Sequence, residues 1–596
     1  MKTTKKFLAL LVTLAMVLSL AVPTAFAEDT TGPYEVFVKN DAENHVYDAY
    51  QIFTGDLSSD GTTLSNVEWG ASVSDSARLV EALLSDEKVI KTTTGTTTLK
   101  QIFSTVATIT TDKQANEVAT ILGTVPNDSN ILDRFAEVVG KVNSDGQTHA
   151  FLGSPASSVD QQTTKIIQDV ATKGYMLDGL HAGYYLIKDR DKNSNLGEGD
   201  FYTKYIMRVV KSADISVKGE GVAVQKTVND TLGGTFTDTE DANTNDILYF
   251  KWEGKLPNNL ESYDEYNYKF IDTMSGGLRF NRIEQVYIEN ANGTPAYTIM
   301  DVTDGDDTND SLSLEKNGII FPTPATVDGQ PTVFSLEIVD LYKTYPQILP
   351  SQKIIVKYSA VLTRDALIKD ENSNVVKVEY DNNPNGEGTG TTVSDKASVF
   401  TFKIDIDKFD AANETLKLEG VEFILYDRDT SGDETVYHYA KVVTEEMITA
   451  GTSINGRVVD EDDLGLVYGF TTEREEASVL DTDENGAINL KGLDSGLYYL
   501  EETKTNDGYN LLDTPVQIEI LPTYHEANGE FSATVEYKVD TRTQGSSSTV
   551  GVRNSKGSTL PSTGGMGTTI LYLGGGALVL CAIVLLITKK RMAMNR

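Results

Sequence analysis

The stretch Gly496-Leu497-Tyr498-Tyr499-Leu500-Glu501-Glu502 decides how this chain reads. A glycine followed by bulky aromatic and aliphatic residues signals a strand. Its alternation puts Tyr498, Leu500 and Glu502 on one face. A near copy stands far upstream: Gly183-Tyr184-Tyr185-Leu186-Ile187-Lys188-Asp189 matches it position by position. Each copy follows a Gly-Leu pair, Gly179-Leu180 and Gly492-Leu493. The echo reads as one sandwich strand used in two domains, with an acid, Asp189 or Glu502, in the same register.

Around these strands the chain divides into three domains. The 596 residues exceed one ordinary domain, and 48 Gly with 28 Tyr suit turn-rich β structure. Residues 28–217 mix strands (Val36–Phe53, Tyr184–Val210) with helical spacing at Ser76–Ile90, Lys113–Leu122 and Ile131–Val142. Residues 218–398 are dominated by β-like runs such as Tyr266–Ile271, Thr332–Ile338 and Lys353–Leu362. Residues 399–556 carry strand patterns at Phe402–Ile406, Val421–Tyr426, Leu497–Glu501 and Val516–Leu521, split by turns such as Asp483-Glu484-Asn485-Gly486. The expected fold is mainly β: three tandem Ig-like β-sandwiches, the first with additional helices.

The two ends carry an address. Residues 1–27 join a basic start (Lys2, Lys5, Lys6), an apolar run and Ala25-Phe26-Ala27, which reads as a secretory signal peptide. Residues 557–596 contain Leu560-Pro561-Ser562-Thr563-Gly564, an apolar stretch from Ile570 to Ile587, then Lys589-Lys590-Arg591. The stretch is long enough to span a bilayer, with the cations holding its end in the cytoplasm. Pentapeptide, span and basic tail in this order resemble the LPXTG cell-wall sorting signal of Gram-positive bacteria. That resemblance implies cleavage between Thr563 and Gly564 and transfer of the Thr563 carboxyl to an amine. Both removed pieces carry only basic charges, so the expected net charge moves from −37 to about −44. Such acidity argues against nucleic acid and anionic membrane surfaces as partners. The single cysteine, Cys581, lies in the span and leaves with it.

Polar residues interrupt the apolar strand faces. In the third domain Phe402, Ile404 and Ile406 share a face with Lys408. Val550 and Val552 share one with Asn554, and Tyr498 and Leu500 share one with Glu502. The second domain repeats the set: Lys226 with Val222, Val224 and Val228, Asp272 with Tyr268 and Phe270, and Asn382 with Val376, Val378 and Tyr380. Each would be costly to bury unpaired. A desolvated lysine has a lowered pKa and becomes a nucleophile, while a buried carboxyl keeps its proton and can serve as general acid. Together with an Asn carboxamide they can make an amide bond. The same residues also suit a hydrogen-bonded cluster that forms no bond, and strand parity leaves both open.

Tyr498-x-Leu500-x-Glu502-Thr503, continuing to Gly508-Tyr509, resembles the E-box of sortase-assembled pilins. Thr505 and Asn506 depart from the Ala and Pro usual there. The resemblance extends to Ile271-Asp272-Thr273-Met274 and Tyr380-Asp381-Asn382-Asn383-Pro384-Asn385. It implies collagen-adhesin-like domains closed by Lys–Asn isopeptide bonds: Lys226–Asn382 with Asp272, and Lys408–Asn554 with Glu502. In the first domain Asp189 holds the acid position and Lys39 the first strand, but the last strand, read as Tyr205–Val210, offers no Asn, so no bond is expected. Family pilins present a linking lysine after the first domain. In Asp214-Ile215-Ser216-Val217-Lys218 it is Lys218, on the face opposite Ile215 and Val217, with Lys211 as second candidate.

The resemblance implies a shaft subunit of a cell-surface pilus, joined through Thr563 of one subunit to Lys218 of the next. The partners implied are identical subunits, pilus-specific and housekeeping sortases, peptidoglycan, minor pilins and host ligands. A monomeric wall-anchored adhesin shares the same end signals, and a wall-anchored enzyme ranks third. Tension between Lys218 and Thr563 would cross domains two and three only. Asp481-x-Asp483-x-Asn485-Gly486 opens like a calcium loop but has Gly492 where the twelfth-position acid belongs, and Asp189-x-Asp191-x-Asn193 lacks the glycine. Both read as turns. Five scattered His give no zinc signature or triad, so no metal, cofactor or enzymatic turnover beyond self-cross-linking is expected.

Overall fold

The computed structural model describes residues 34–557 and 567–593, apart from 93–94, 127–129, 144–148, 191–195, 218–220, 264, 303–314, 317–318, 321–328, 385–387 and 433. The segment expected to be a signal peptide, Lys218 and the Leu560–Gly564 motif lie outside the described residues.

The chain is mainly β, with paired sheets facing one another in successive units. In the first unit Ala213–Ser216, Tyr34–Lys39, Val170–Leu180 and Gln162–Ile167 form one sheet. Lys204–Val209, Gly183–Asp189, Tyr47–Leu57 and Leu64–Trp69 form the core of the other. The helices Ser76–Ser85, Gln114–Leu122 and Asn130–Val139 pack Leu79, Leu83, Val118, Phe135 and Val139 into a cluster with Phe53 and Trp69. Asp75 caps the first by accepting from Arg78 N at 3.0 Å. That helix stops at Ser85 rather than running to Ile90. Asp86 is extended and its carboxylate is held by Arg134 Nη2 at 2.6 Å, so Ile90 begins a short strand. The terminal strand is Ala213–Ser216, parallel to Tyr34–Lys39, and not the expected 205–210. It contains no Asn either.

In the middle unit the sheet order is Ala223–Asn229, Ile247–Lys255, Lys353–Leu362, Leu278–Glu289, Pro295–Asp301. The facing sheet is centred on Asp395–Phe400, Asn372–Asp381, Tyr268–Met274 and Thr332–Ile338. Trp252 from the first sheet meets Phe270 and Phe334 from the second at ring centroids of 5.0 and 5.7 Å. These contacts seal one core between the sheets, the area burial that makes a sandwich stable.

The last unit places Phe402–Asp410 between Ala487–Leu493 and Thr549–Asn554, the latter parallel to it. Its second sheet runs through Val436–Val442, Glu422–Asp429, Gly496–Lys504, Val516–Ala527 and Glu530–Val539. Both copies of the echoed segment are interior strands, each paired on two sides.

The units touch directly. Tyr202 N donates to Asn382 O at 2.8 Å and Gly199 N to Thr391 O at 2.7 Å between the first and middle units. Between middle and last, Arg364 Nη1 meets Asp463 Oδ2 at 2.8 Å and Tyr524 OH donates to Asp241 Oδ2 at 2.6 Å. The helix Gly567–Ala593 follows; its 27 residues reach roughly 40 Å, enough to cross a hydrocarbon layer of ~30 Å.

Candidate functional site

Alternation drives Lys408 inward on the strand Phe402–Asp410, behind Phe402, Ile404 and Ile406. The turn at Gly486 fixes its backbone: Lys408 N donates to Gly486 O at 2.8 Å. Gly486 has φ +70°, and a Cβ there would meet Lys408 O at 2.3 Å, so glycine is required. That turn is closed by Asp483 Oδ1 accepting from Asn485 N and Ala487 N, a hairpin turn as read from the sequence. Thr549–Asn554 lies alongside, with Val552 opposite Lys408 and Asn554 two residues on.

Three side chains from two sheets then converge. Lys408 Nζ donates to Asn554 Oδ1 at 2.6 Å and lies 2.9 Å from Glu502 Oε1. Asn554 Nδ2 donates to Glu502 Oε1 at 2.7 Å. The Lys408 and Glu502 side chains are fully enclosed and Asn554 is 0% exposed. Burial pushes the Lys408 ammonium down, partly offset by Glu502. Glu502 Oε2 is held by Leu512 N at 2.8 Å, which orients the carboxyl.

The middle unit holds a counterpart that spans its two sheets. Lys226 Nζ hydrogen-bonds Asp272 Oδ2 and Asn374 Oδ1. Lys226 N donates to Asp395 Oδ2 at 2.6 Å, anchoring the strand. Phe250, Trp252 and Tyr358 present their rings to Nζ at 5.4, 5.9 and 5.6 Å. Trp252 Nε1 donates to Asp272 Oδ2 at 2.8 Å. Burial pushes Lys226 down to about 8 against the pull of Asp272, and pushes Asp272 up against the pull of Lys226. Each cluster thus sets an amine, a carboxyl and a primary carboxamide in contact, in a space closed to water. Those are the reactants and the acid–base group of amide exchange.

The carboxamide that Lys226 Nζ meets is that of Asn374, where the sequence reading expected Asn382. Both lie on one face, because 374, 376, 378, 380 and 382 share parity, but register separates them. Asp272 stands opposite Val376 and Met274 opposite Asn374, whereas Tyr380 is opposite Tyr268. Asn382 is therefore about 27 Å from Asn374 along the chain. It serves the junction with the first unit through its carbonyl. The Lys226 cluster joins the first strand to Asn372–Asp381 in the other sheet, not to the last strand as in the final unit.

In the first unit Lys39 is half-buried at the end of the strand Tyr34–Lys39. His45 occupies the partner's place: His45 Nδ1 and Asp189 Oδ1 are 2.7 Å apart, and Asp189 Oδ2 accepts from Thr203 N and Oγ1 at 2.7 and 2.9 Å. Ile215 and Val217 pack on the core beneath, so their face is inward as read, and Lys211 is exposed. No group of three or more His, Cys, Asp or Glu suited to a metal occurs among the described residues.

Sequence reasoning missed three participants. Tyr358 comes from Lys353–Leu362, read only as a β-like run, and Trp252 from Ile247–Lys255, a segment not singled out. Thr505, seen merely as a departure from the E-box, accepts from Asn554 Nδ2 at 2.6 Å. Its position three residues after Glu502 was the available signal.

Comparisons with known proteins place the last unit. Residues 402–536 match the family described as the SpaA prealbumin-like fold domain. A search of curated proteins returned no match. Among solved structures, the T6 backbone pilin of serotype M6 Streptococcus pyogenes, a modular three-domain protein, is 15% identical, covering 90% of this chain and 100% of that one with a TM-score of 0.45. The full-length major pilin SpaD of Corynebacterium diphtheriae is 13% identical over 88% of this chain and 98% of its own, with a TM-score of 0.42. The major pilin SpaA of the same organism is 12% identical over 88% and 100%, with a TM-score of 0.38.

Proposed function

We propose that the chain is the shaft subunit of a covalently polymerised pilus on a Gram-positive cell surface. The observation that carries this is the pair of buried Lys–acid–Asn clusters in successive β units. A soluble globular protein gains little from two desolvated lysine–acid pairs, which cost more than apolar packing. A load-bearing strut gains two covalent braces.

In each unit the uncharged lysine Nζ attacks the carboxamide Cγ. The new N–C bond replaces the Cγ–Nδ2 bond, the buried acid returns a proton to the departing nitrogen, and ammonia leaves. The products are Lys226–Asn374 and Lys408–Asn554 amides, promoted by Asp272 and Glu502. Lowered lysine pKa values favour the nucleophilic form. A pilus-specific sortase cuts after Thr563 and joins it to Lys218 of the next subunit, and a housekeeping sortase fixes the polymer to peptidoglycan. The apolar helix Gly567–Ala593, with Lys590 and Arg591 in its last turn, supports membrane retention before that step.

Two measurements test the reading. The mass of the chain from Glu28 to Thr563 should be two ammonias below its sequence mass; the full sequence mass would remove the braces. Lys218→Ala should abolish the high-mass ladder in cell-wall extracts. A ladder that survives moves the acceptor elsewhere, and wall-linked monomers from the wild-type chain would favour the single adhesin.

A further inference from the structure

The two clusters differ in how the acid meets the amide. In the last unit Glu502 Oε1 touches Asn554 Nδ2 directly at 2.7 Å. In the middle unit the acid is an aspartate, one methylene shorter. Its Oδ2 accepts from Lys226, Trp252 and Tyr358, but no hydrogen bond joins it to Asn374. The Tyr358 hydroxyl stands between them. It donates to Asp272 Oδ2 at 3.0 Å and accepts from Asn374 Nδ2 at 2.8 Å. Tyr358, Asp272, Asn374 and Lys226 are each 0% exposed, so no solvent water substitutes for the link.

We propose that Tyr358 is a catalytic residue of the middle unit, relaying a proton from Asp272 to the leaving nitrogen of Asn374. The proposal rests on the cross-linking read above and adds a residue and a proton route to it. As Nζ–Cγ forms and Cγ–Nδ2 breaks, Tyr358 gives its hydroxyl proton to Nδ2 and takes the carboxyl proton of Asp272. Asp272 then receives the proton shed by Nζ. Ammonia departs, and Tyr358 and Asp272 end as they began. Burial holds the Tyr358 phenol well above its ordinary range, so the two transfers run together and no free phenolate forms. The last unit needs no relay because glutamate reaches the amide. There Thr505 adds a hydroxyl at the same nitrogen, an accessory to a contact already made.

Packing alone does not explain the hydroxyl. The Tyr358 ring stacks on Phe250 at 5.5 Å and meets Trp252 at 4.8 Å and Phe334 at 5.6 Å. Phenylalanine would keep all three contacts. The full-length chain is made by cell-free translation, sampled over time and digested. The Lys226–Asn374 and Lys408–Asn554 cross-linked peptides are then quantified by mass spectrometry. Tyr358→Phe should slow the middle cross-link by about 100-fold or more while leaving the Lys408–Asn554 rate unchanged. Adding Asp272→Glu lets the acid reach Nδ2 directly, as Glu502 does, and should recover at least tenfold of the loss. Wild-type cross-linking in Tyr358→Phe overturns the relay. A slow single variant that Asp272→Glu leaves unrepaired assigns the loss to packing and overturns it too. Absence of the Lys226–Asn374 peptide from the wild-type chain instead rejects the cross-link itself.

Discussion

Replacing Asn374 by Ala should remove the covalent brace of the middle unit, whereas replacing Asn382 by Ala should leave it intact. Lys226 and Asn374 are 148 positions apart. Closing a loop of that size restricts the unfolded chain by about 5 kcal/mol in the loop-entropy treatment used for disulfides. For a unit of this size each 1 kcal/mol shifts the midpoint by about 2–4 °C, so loss of the brace lowers it by about 10–20 °C. The Asn382 side chain has no hydrogen-bond partner for its Oδ1 among the described residues, so Asn382→Ala should cost only about 1 kcal/mol. Peptide mass spectrometry and differential scanning calorimetry on the chain ending at Thr563 read both effects. A Lys226 cross-link that persists in Asn374→Ala refutes the assignment. So does a midpoint within about 3 °C of a cross-linked wild type.

Glu502→Ala should slow formation of the Lys408–Asn554 amide by about 10²–10⁴-fold, measured as the cross-linked peptide against time, without touching the middle unit. His45 is buried, which works against its charge, but Asp189 and Asp200 outweigh this and raise its pKa. The stabilisation it gives the first unit is therefore full below about pH 6.5 and lost as pH climbs through the raised value. Hydrogen exchange of Gly183–Asp189 across that range should show the loss, and His45→Gln should flatten it. At the junction of the middle and last units, burial and the neighbouring Asp241 push Asp494 up to about 9. A carboxyl held protonated stabilises the fold most below its ordinary range and progressively less up to about pH 9. Thermal midpoints should fall from pH 5 to 9 by more in the wild type than in Asp494→Asn, and parallel profiles would dismiss the coupling.

Strand parity is a property of the covalent chain, so much of the chemistry was legible before any fold was seen. Side chains alternate whatever the sheet does, which made Lys226, Asp272, Lys408, Glu502 and Asn554 stand out as polar groups on apolar faces. The helices were also a local matter of period and turn chemistry. Parity says nothing about position along a strand. Asn374 and Asn382 share a face, and only the in-sheet pairing of Asp272 with Val376, together with the packing of Lys226 from the facing sheet, chose Asn374. Tyr358 was invisible for the same reason: its strand is adjacent in space to Ile247–Lys255 and Leu278–Glu289, distant from both in sequence. The reactive groups were thus determined by the sequence itself. Which carboxamide meets which lysine, and through which hydroxyl, was decided by tertiary register, because hydrogen-bond distances depend on the stacking of strands that the chain order does not make neighbours.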